Sequence, residues 1–248
     1  MTAQARSVPI GTRTDATDVP WKSLFKLGGA ITMILLVYSL VTMVLVFTLG
    51  GQPLSAQEAF DMLRGNRLVG ILRLDVLTTL VMPLYYLLFL GLYIALRKAH
   101  AAYAAIALLL GCAGLTLFLA APSFISWLTL SDKFAAATTG TQKTLLLAAG
   151  ETILATDMWH SSSSLVGGLL LQTGTLLLSV LMLRSSLFSK LTAWVGVMTH
   201  GLDLAHILIG LFFPAAGAIL LAIGGTLYLA WFPLLARDFF RLGREVEK

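Results

Sequence analysis

Long apolar stretches separated by short polar punctuation dominate this chain. Six of them lie at about 27–49, 70–95, 102–121, 164–184, 190–213 and 216–236. A run of about 18 or more residues with few charges is long enough to cross the hydrocarbon of a bilayer as a helix. Hydrocarbon offers backbone N–H and C=O groups no partner, so spanning segments must be helices or closed barrels. These runs are Leu-rich and lack the alternation a barrel strand needs. The pattern predicts an all-α polytopic membrane bundle of six transmembrane helices, with short extracytoplasmic interfacial helices in its longer connections.

The polar segments divide the chain. Residues 1–24 are polar, carry Pro9, Gly11 and Pro20, and read as a disordered cytoplasmic tail. Residues 25–240 form the transmembrane domain, and 241–248 a basic cytoplasmic tail. The start does not read as a cleaved signal peptide, because its polar lead and its first apolar run are both too long. After the first run, GGQPL interrupts the helix. Ser55 followed by Glu58 then has capping-box spacing and predicts a short helix over 55–66. The connection 122–163 holds two further helical stretches, the second of which either dips into the membrane or caps the bundle.

Composition sharpens this picture. Hydrophobic residues make up 58% and charged residues 12% of the 248, against about a quarter charged in ordinary soluble domains. The formal charge of +5 sits beside the apolar runs. Lipid headgroups are therefore the expected partner, and no nucleic-acid module is visible. With six crossings, one side collects 12 of the 17 basic residues, among them Lys22, Lys26, Arg97, Lys98, Arg184 and Lys190. The positive-inside rule then puts both termini in the cytoplasm of a bacterial cell (inner) membrane. Cys112 is the single cysteine, so no disulfide can form within one chain.

Ionisable residues inside apolar runs are costly and lean functional. His200, Asp203 and His206 in the fifth run are spaced i, i+3, i+6 and share one helix face with Gly196, Thr199 and Gly210. Small and polar residues of this kind face other helices rather than lipid. Asp75, near the outer end of the second run, and Asp157 and His160 in the outer connection lie at a similar depth. Together they predict a polar pocket opening outward, with Asp75, Asp157, His160, His200, Asp203 and His206 as ligand-binding candidates. The structural alternative is that Asp203 simply holds its neighbours by hydrogen bonds, that Asp75 anchors at the interface, and that Asp157 and His160 belong to a solvated loop. A metal site would draw on His160, His200, Asp203 and His206. However, His200 and His206 are six apart, and the i, i+3 or i, i+4 spacing that chelates from one helix is missing. No cofactor is specified: phosphate loop, nucleophile elbow and dinucleotide fingerprint are all lacking. Trp127, Trp159, Trp194 and Trp231 read as interface belts.

The stretches RLDVLTTLVMPLYYLLFLGLYIALR at 73–97, LMLRSSLFSKLTAWVGVMTHGLDLAHIL at 181–208 and LAWFPLLARDFFRLGR at 229–244 carry a resemblance. In layout the chain resembles a family of bacterial multi-pass membrane proteins, the domain of unknown function 4386. The resemblance implies a six-helix membrane protein and supplies no activity. Three functions fit the pattern: binding of a small molecule or ion in the outer pocket, metal-dependent hydrolase-like chemistry, or an accessory subunit packed against a membrane-protein partner. The sequence leaves an enzymatic role open and leans against it.

Overall fold

A computed structural model describes residues 21–74, 76–121 and 124–245. Residues 1–20 and Asp75 lie outside the described residues. The chain folds as helices throughout, with no strand among the described residues: α1 Trp21–Leu49, α2 Ala56–Gly65, α3 Arg67–Arg73, α4 Val76–Val81, α5 Leu84–Leu119, α6 Phe124–Ala136, α7 Gly140–Thr156, α8 Ser162–Arg184, α9 Lys190–Gly210 and α10 Pro214–Glu245. Among the described residues, five helical stretches are long and apolar enough to cross a membrane, α5 and α6 together being counted as one.

Several boundaries differ from the expected ones. α1 begins at Trp21, inside the segment read as a tail, because Gly28 and Gly29 let it press against Phe239 and Phe240 of α10. α10 continues to Glu245 through the basic stretch, with Pro233 inside it. The second apolar run is broken twice: Leu74 leaves helical geometry between α3 and α4, and Pro83 starts α5. α5 itself is non-helical at His100 (φ −161°, ψ 90°). The hydroxyls of Tyr86 and Thr116, 30 residues apart in sequence, share a 2.7 Å hydrogen bond. A straight helix would hold them about 45 Å apart, so α5 doubles back at His100.

The second half of α5 packs on α8 through glycine. A Cβ on Gly174 would lie 2.7 Å from the Gly111 nitrogen, and one on Gly167 would lie 2.8 Å from the Gly114 oxygen. Backbones approach this closely only where side chains are absent. The main core runs from Ile31 and Leu35 through Leu88, Phe89 and Leu92 to Trp231, Leu235 and Phe239.

A second, smaller core sits over one end of the bundle, where α2, α6 and α7 meet. Phe60 packs against Trp127 at 6.0 Å and Phe134 at 4.9 Å between ring centroids. Ser55 caps α2 as expected, accepting from the Glu58 N–H at 3.2 Å. Glu58 reaches back one residue further than a capping box requires, to the Leu54 N–H at 2.9 Å. Glu151 of α7 accepts from the Ala56 N–H at 2.7 Å, tying α7 to the start of α2.

Candidate functional site

Three helices each turn one stripe of polar and small residues toward a common seam. α8 supplies Gln172, Thr175 and Ser179, α9 supplies Gly196, His200 and Asp203, and α10 supplies Gly224, Tyr228 and Trp231. In each case the spacing is i, i+3 or i+4, i+7, which keeps the residues on one face. The Tyr228 hydroxyl donates to Asp203 Oδ2 at 2.7 Å, and Gln172 Nε2 donates to the same oxygen at 3.1 Å. Gln172 Oε1 therefore faces His200, whose Nδ1 lies 3.0 Å away. An amide oxygen only accepts, so Nδ1 carries the proton and Nε2 is left as an acceptor. Thr175 Oγ1 approaches Gln172 Oε1 at 3.3 Å and donates to the Leu171 carbonyl at 2.8 Å.

The centre of the cluster is buried, with Gln172 and Tyr228 half-buried at its edge. His200 is 1% exposed, Asp203 6% and Trp231 1%. The His200 ring stands edge-on to the Trp231 ring at 4.6 Å and 88°. Three buried polar atoms have no hydrogen-bond partner among the described residues: His200 Nε2, Asp203 Oδ1 and Trp231 Nε1. Two glycines make the space they occupy. A Cβ on Gly224 would sit 2.7 Å from Asp203 Oδ1, and one on Gly196 would sit 2.6 Å from both Ser179 Oγ and Trp231 Nε1. A buried polar atom left unpaired costs about 1–3 kcal/mol, so three along one helix seam form an unusual concentration.

The chain matches no known family model, no curated protein and no solved structure. The reading of the site therefore rests on its own geometry.

The other predicted residues go elsewhere. His206 Nδ1 donates to the Gly217 carbonyl at 2.9 Å, bracing the α9–α10 hairpin where Gly210 and Gly217 meet. Asp157 is 3% exposed and closes a turn: its Oδ1 accepts from the Trp159 N–H at 2.8 Å, the His160 N–H at 3.0 Å and His160 Nδ1 at 2.9 Å. That turn leads into α8, whose cap Ser161 accepts from the Ser164 N–H. Ser164 and Gln172 are eight residues apart, or about 12 Å along the helix, so the Asp157–His160 pair stands well away from the His200–Asp203 cluster. Asp75 lies outside the described residues. Among the described residues, no three or more His, Cys, Asp or Glu side chains are grouped to hold a metal ion.

Gln172, Tyr228 and Trp231 were missed by sequence reasoning. Gln172 is a lone amide in an apolar run, and that oddity could have flagged it. Tyr228 carried no distinguishing signal. Of the tryptophans expected in interface belts, Trp127 and Trp231 are buried at 2% and 1% exposure, whereas Trp194 is 57% and Trp159 48% exposed. Asp238 was also overlooked. It is 0% exposed at the opposite end of α10, where it accepts from the Ser189 N–H at 2.9 Å and Thr192 Oγ1 at 2.6 Å, beside Arg237 and Arg241. It ties the start of α9, which Ser189 caps, to α10.

Proposed function

We propose that the protein is a six-crossing protein of the bacterial inner membrane, with both termini cytoplasmic, that binds a small ion or hydrogen-bonding ligand between α8, α9 and α10. The proposal includes membership of the multi-pass family it resembles. The reversal of α5 at His100 supports six crossings, because each half is apolar and the two lie side by side. The orientation draws support from basic residues gathered at one end: Arg97 stacks over Trp21 at 5.7 Å, Gly243 packs on Lys26, and Arg241 donates to the Leu187 carbonyl.

The observation that carries the binding reading is that Asp203 Oδ1 and His200 Nε2, two acceptors, are buried without a partner among the described residues, on the same seam as the unpaired Trp231 Nε1. A cation or a donor group held beside Asp203 would satisfy its free oxygen, whereas the Trp231 N–H calls for an acceptor. A network satisfied wholly by its own side chains would pair all three. The metal-enzyme reading loses support, since His160 and His206 are engaged elsewhere.

The test is thermal unfolding of detergent-purified protein in lithium, sodium, potassium or zinc chloride, against choline chloride at equal ionic strength. At least one cation should raise the wild-type midpoint by several degrees, and Asp203→Asn should abolish the rise. Identical midpoints in every salt, together with an Asp203→Asn variant that is only less stable, would reduce the cluster to helix packing.

A further inference from the structure

A cleft of about 100 Å³ lies where α1 ends, between the outer half of α1, the Gly50–Gln52 turn, the α3–α4 break and Trp159. It is separate from the His200–Asp203 cluster. Irregular backbone at this depth is tolerated only where protein covers it or a cavity adjoins it, and the break at Leu74 lines this one. Three chemistries meet there. Arg73 is held with its Nε on the Gly51 carbonyl at 2.8 Å and one terminal nitrogen on Glu58 Oε1 at 3.2 Å. Guanidinium has five N–H donors, so it keeps capacity for another acceptor. Deeper in the cleft, Tyr38 and Thr78 share a 2.8 Å hydrogen bond, and Thr42 Oγ1 is buried without a partner. The remaining wall is apolar, from Leu45 and Val46 on one side to Leu77 on the other.

We infer that this cleft binds the headgroup of a zwitterionic phospholipid, with the phosphate on Arg73 and the amine toward Glu58 and Trp159. A lone anion on Arg73 would face the Glu58 carboxylate, already within 3.2 Å of the guanidinium, and a lone cation would face Arg73. A ligand carrying both charges meets both members of that ion pair. An indole face also attracts an ammonium group. The position fits a lipid rather than a soluble zwitterion. The cleft sits at the Leu49 end of a membrane helix, and Val46, at 49% exposure, joins its apolar wall to the lipid-facing surface of α1, where Val44 is 54% and Phe47 83% exposed. Acyl chains would lie along that surface, since the cleft itself has room for a headgroup only.

Native mass spectrometry of the full chain in detergent tests this. The probes are phosphatidylethanolamine, phosphatidylglycerol of the same chains, and free phosphoethanolamine. Phosphatidylethanolamine should be retained at one per protein, at least tenfold more tightly than phosphatidylglycerol. Glu58→Gln should erase that preference. Arg73→Ala tests the phosphate contact. Should it disturb the fold, Val46→Trp fills the cleft from its lipid side without touching the ion pair, and should cost at least tenfold in retention with an unchanged helical circular dichroism signal. Equal or tighter phosphatidylglycerol binding would make this a simple anion site. Competition by free phosphoethanolamine at lipid-like concentrations would make the ligand a soluble one. Either result, or a natively folded Val46→Trp protein that still retains the lipid, overturns the inference. None of these outcomes depends on the cation response proposed for the Asp203 cluster.

Discussion

Asp203 draws two donors onto one carboxylate oxygen and leaves the other facing Gly224. Removing a donor therefore has a calculable cost. Hydrogen bonds between helices in a bilayer contribute about 0.6 kcal/mol on average and up to about 1.7. Tyr228→Phe should destabilise the bundle by about 1 kcal/mol, read as a lower unfolding midpoint in detergent. The glycines give a sharper contrast. Gly196→Ala puts a methyl group 2.6 Å from Ser179 Oγ and Trp231 Nε1. Overpacking of that kind costs about 1–3 kcal/mol. Gly225→Ala meets nothing within 4 Å and should be neutral or stabilising, by up to the roughly 1 kcal/mol of helix propensity that alanine gains over glycine. His200 and Asp203 were legible in the sequence because ionisable groups stand out in an apolar run. Tyr228 and Trp231 were not, because an aromatic side chain reads alike at an interface and in a core, and which it faces depends on the rotation of α10.

At the scale of elements, the decisive features are a fold-back and a set of close approaches. α5 reverses at His100 beside Arg97 and Lys98, and its second half meets α8 through Gly111, Gly114, Gly167 and Gly174. A Cβ on Gly114 would run into the backbone of Gly167 and Leu171. Backbone cannot step aside as a side-chain tip can, so Gly114→Ala should be the most damaging of these alanine substitutions, lowering both the unfolding midpoint and the folded yield. Asp238→Ala removes the buried acceptor that holds the Ser189 N–H and the Thr192 hydroxyl and leaves Arg237 and Arg241 without their shared carboxylate. Leaving a buried donor unsatisfied costs about 1–3 kcal/mol, and the same measurement should register it. The expected capping of α2 by Ser55 was readable because its chemistry is local. The reversal at His100 was readable too, because Arg97, Lys98 and His100 separate the runs 70–95 and 102–121, whereas the break at Leu74 falls inside the run expected over 70–95.

The molecule as a whole is a bundle with a cap at one end and basic residues at the other. Arg97, Lys98, Arg184, Lys190, Arg237, Arg241 and Arg244 fall at chain reversals or helix ends that the packing of α1 on α10 places together with Trp21. The topology can be checked with single cysteines in a Cys112→Ala background. Positions 101 and 244 should react with a membrane-impermeant maleimide from one side, and position 141 in the cap from the other. Hydropathy alone determined that this chain is helical and membrane-bound, because the energy of putting apolar side chains and unpaired backbone into water or lipid depends on composition and run length, not on partners. It also singled out His200 and Asp203, since a polar group in hydrocarbon is conspicuous wherever it points. Tertiary structure decided which groups joined them. Gln172, Tyr228 and Trp231 come from helices 25 or more residues away along the chain, brought in by glycine-mediated contacts, while His206, Asp157 and His160 were turned to the hairpin and the α8 cap. Hydrogen bonds reach only about 3 Å, so membership of a site is set by helix rotation and approach, which the local pattern does not encode.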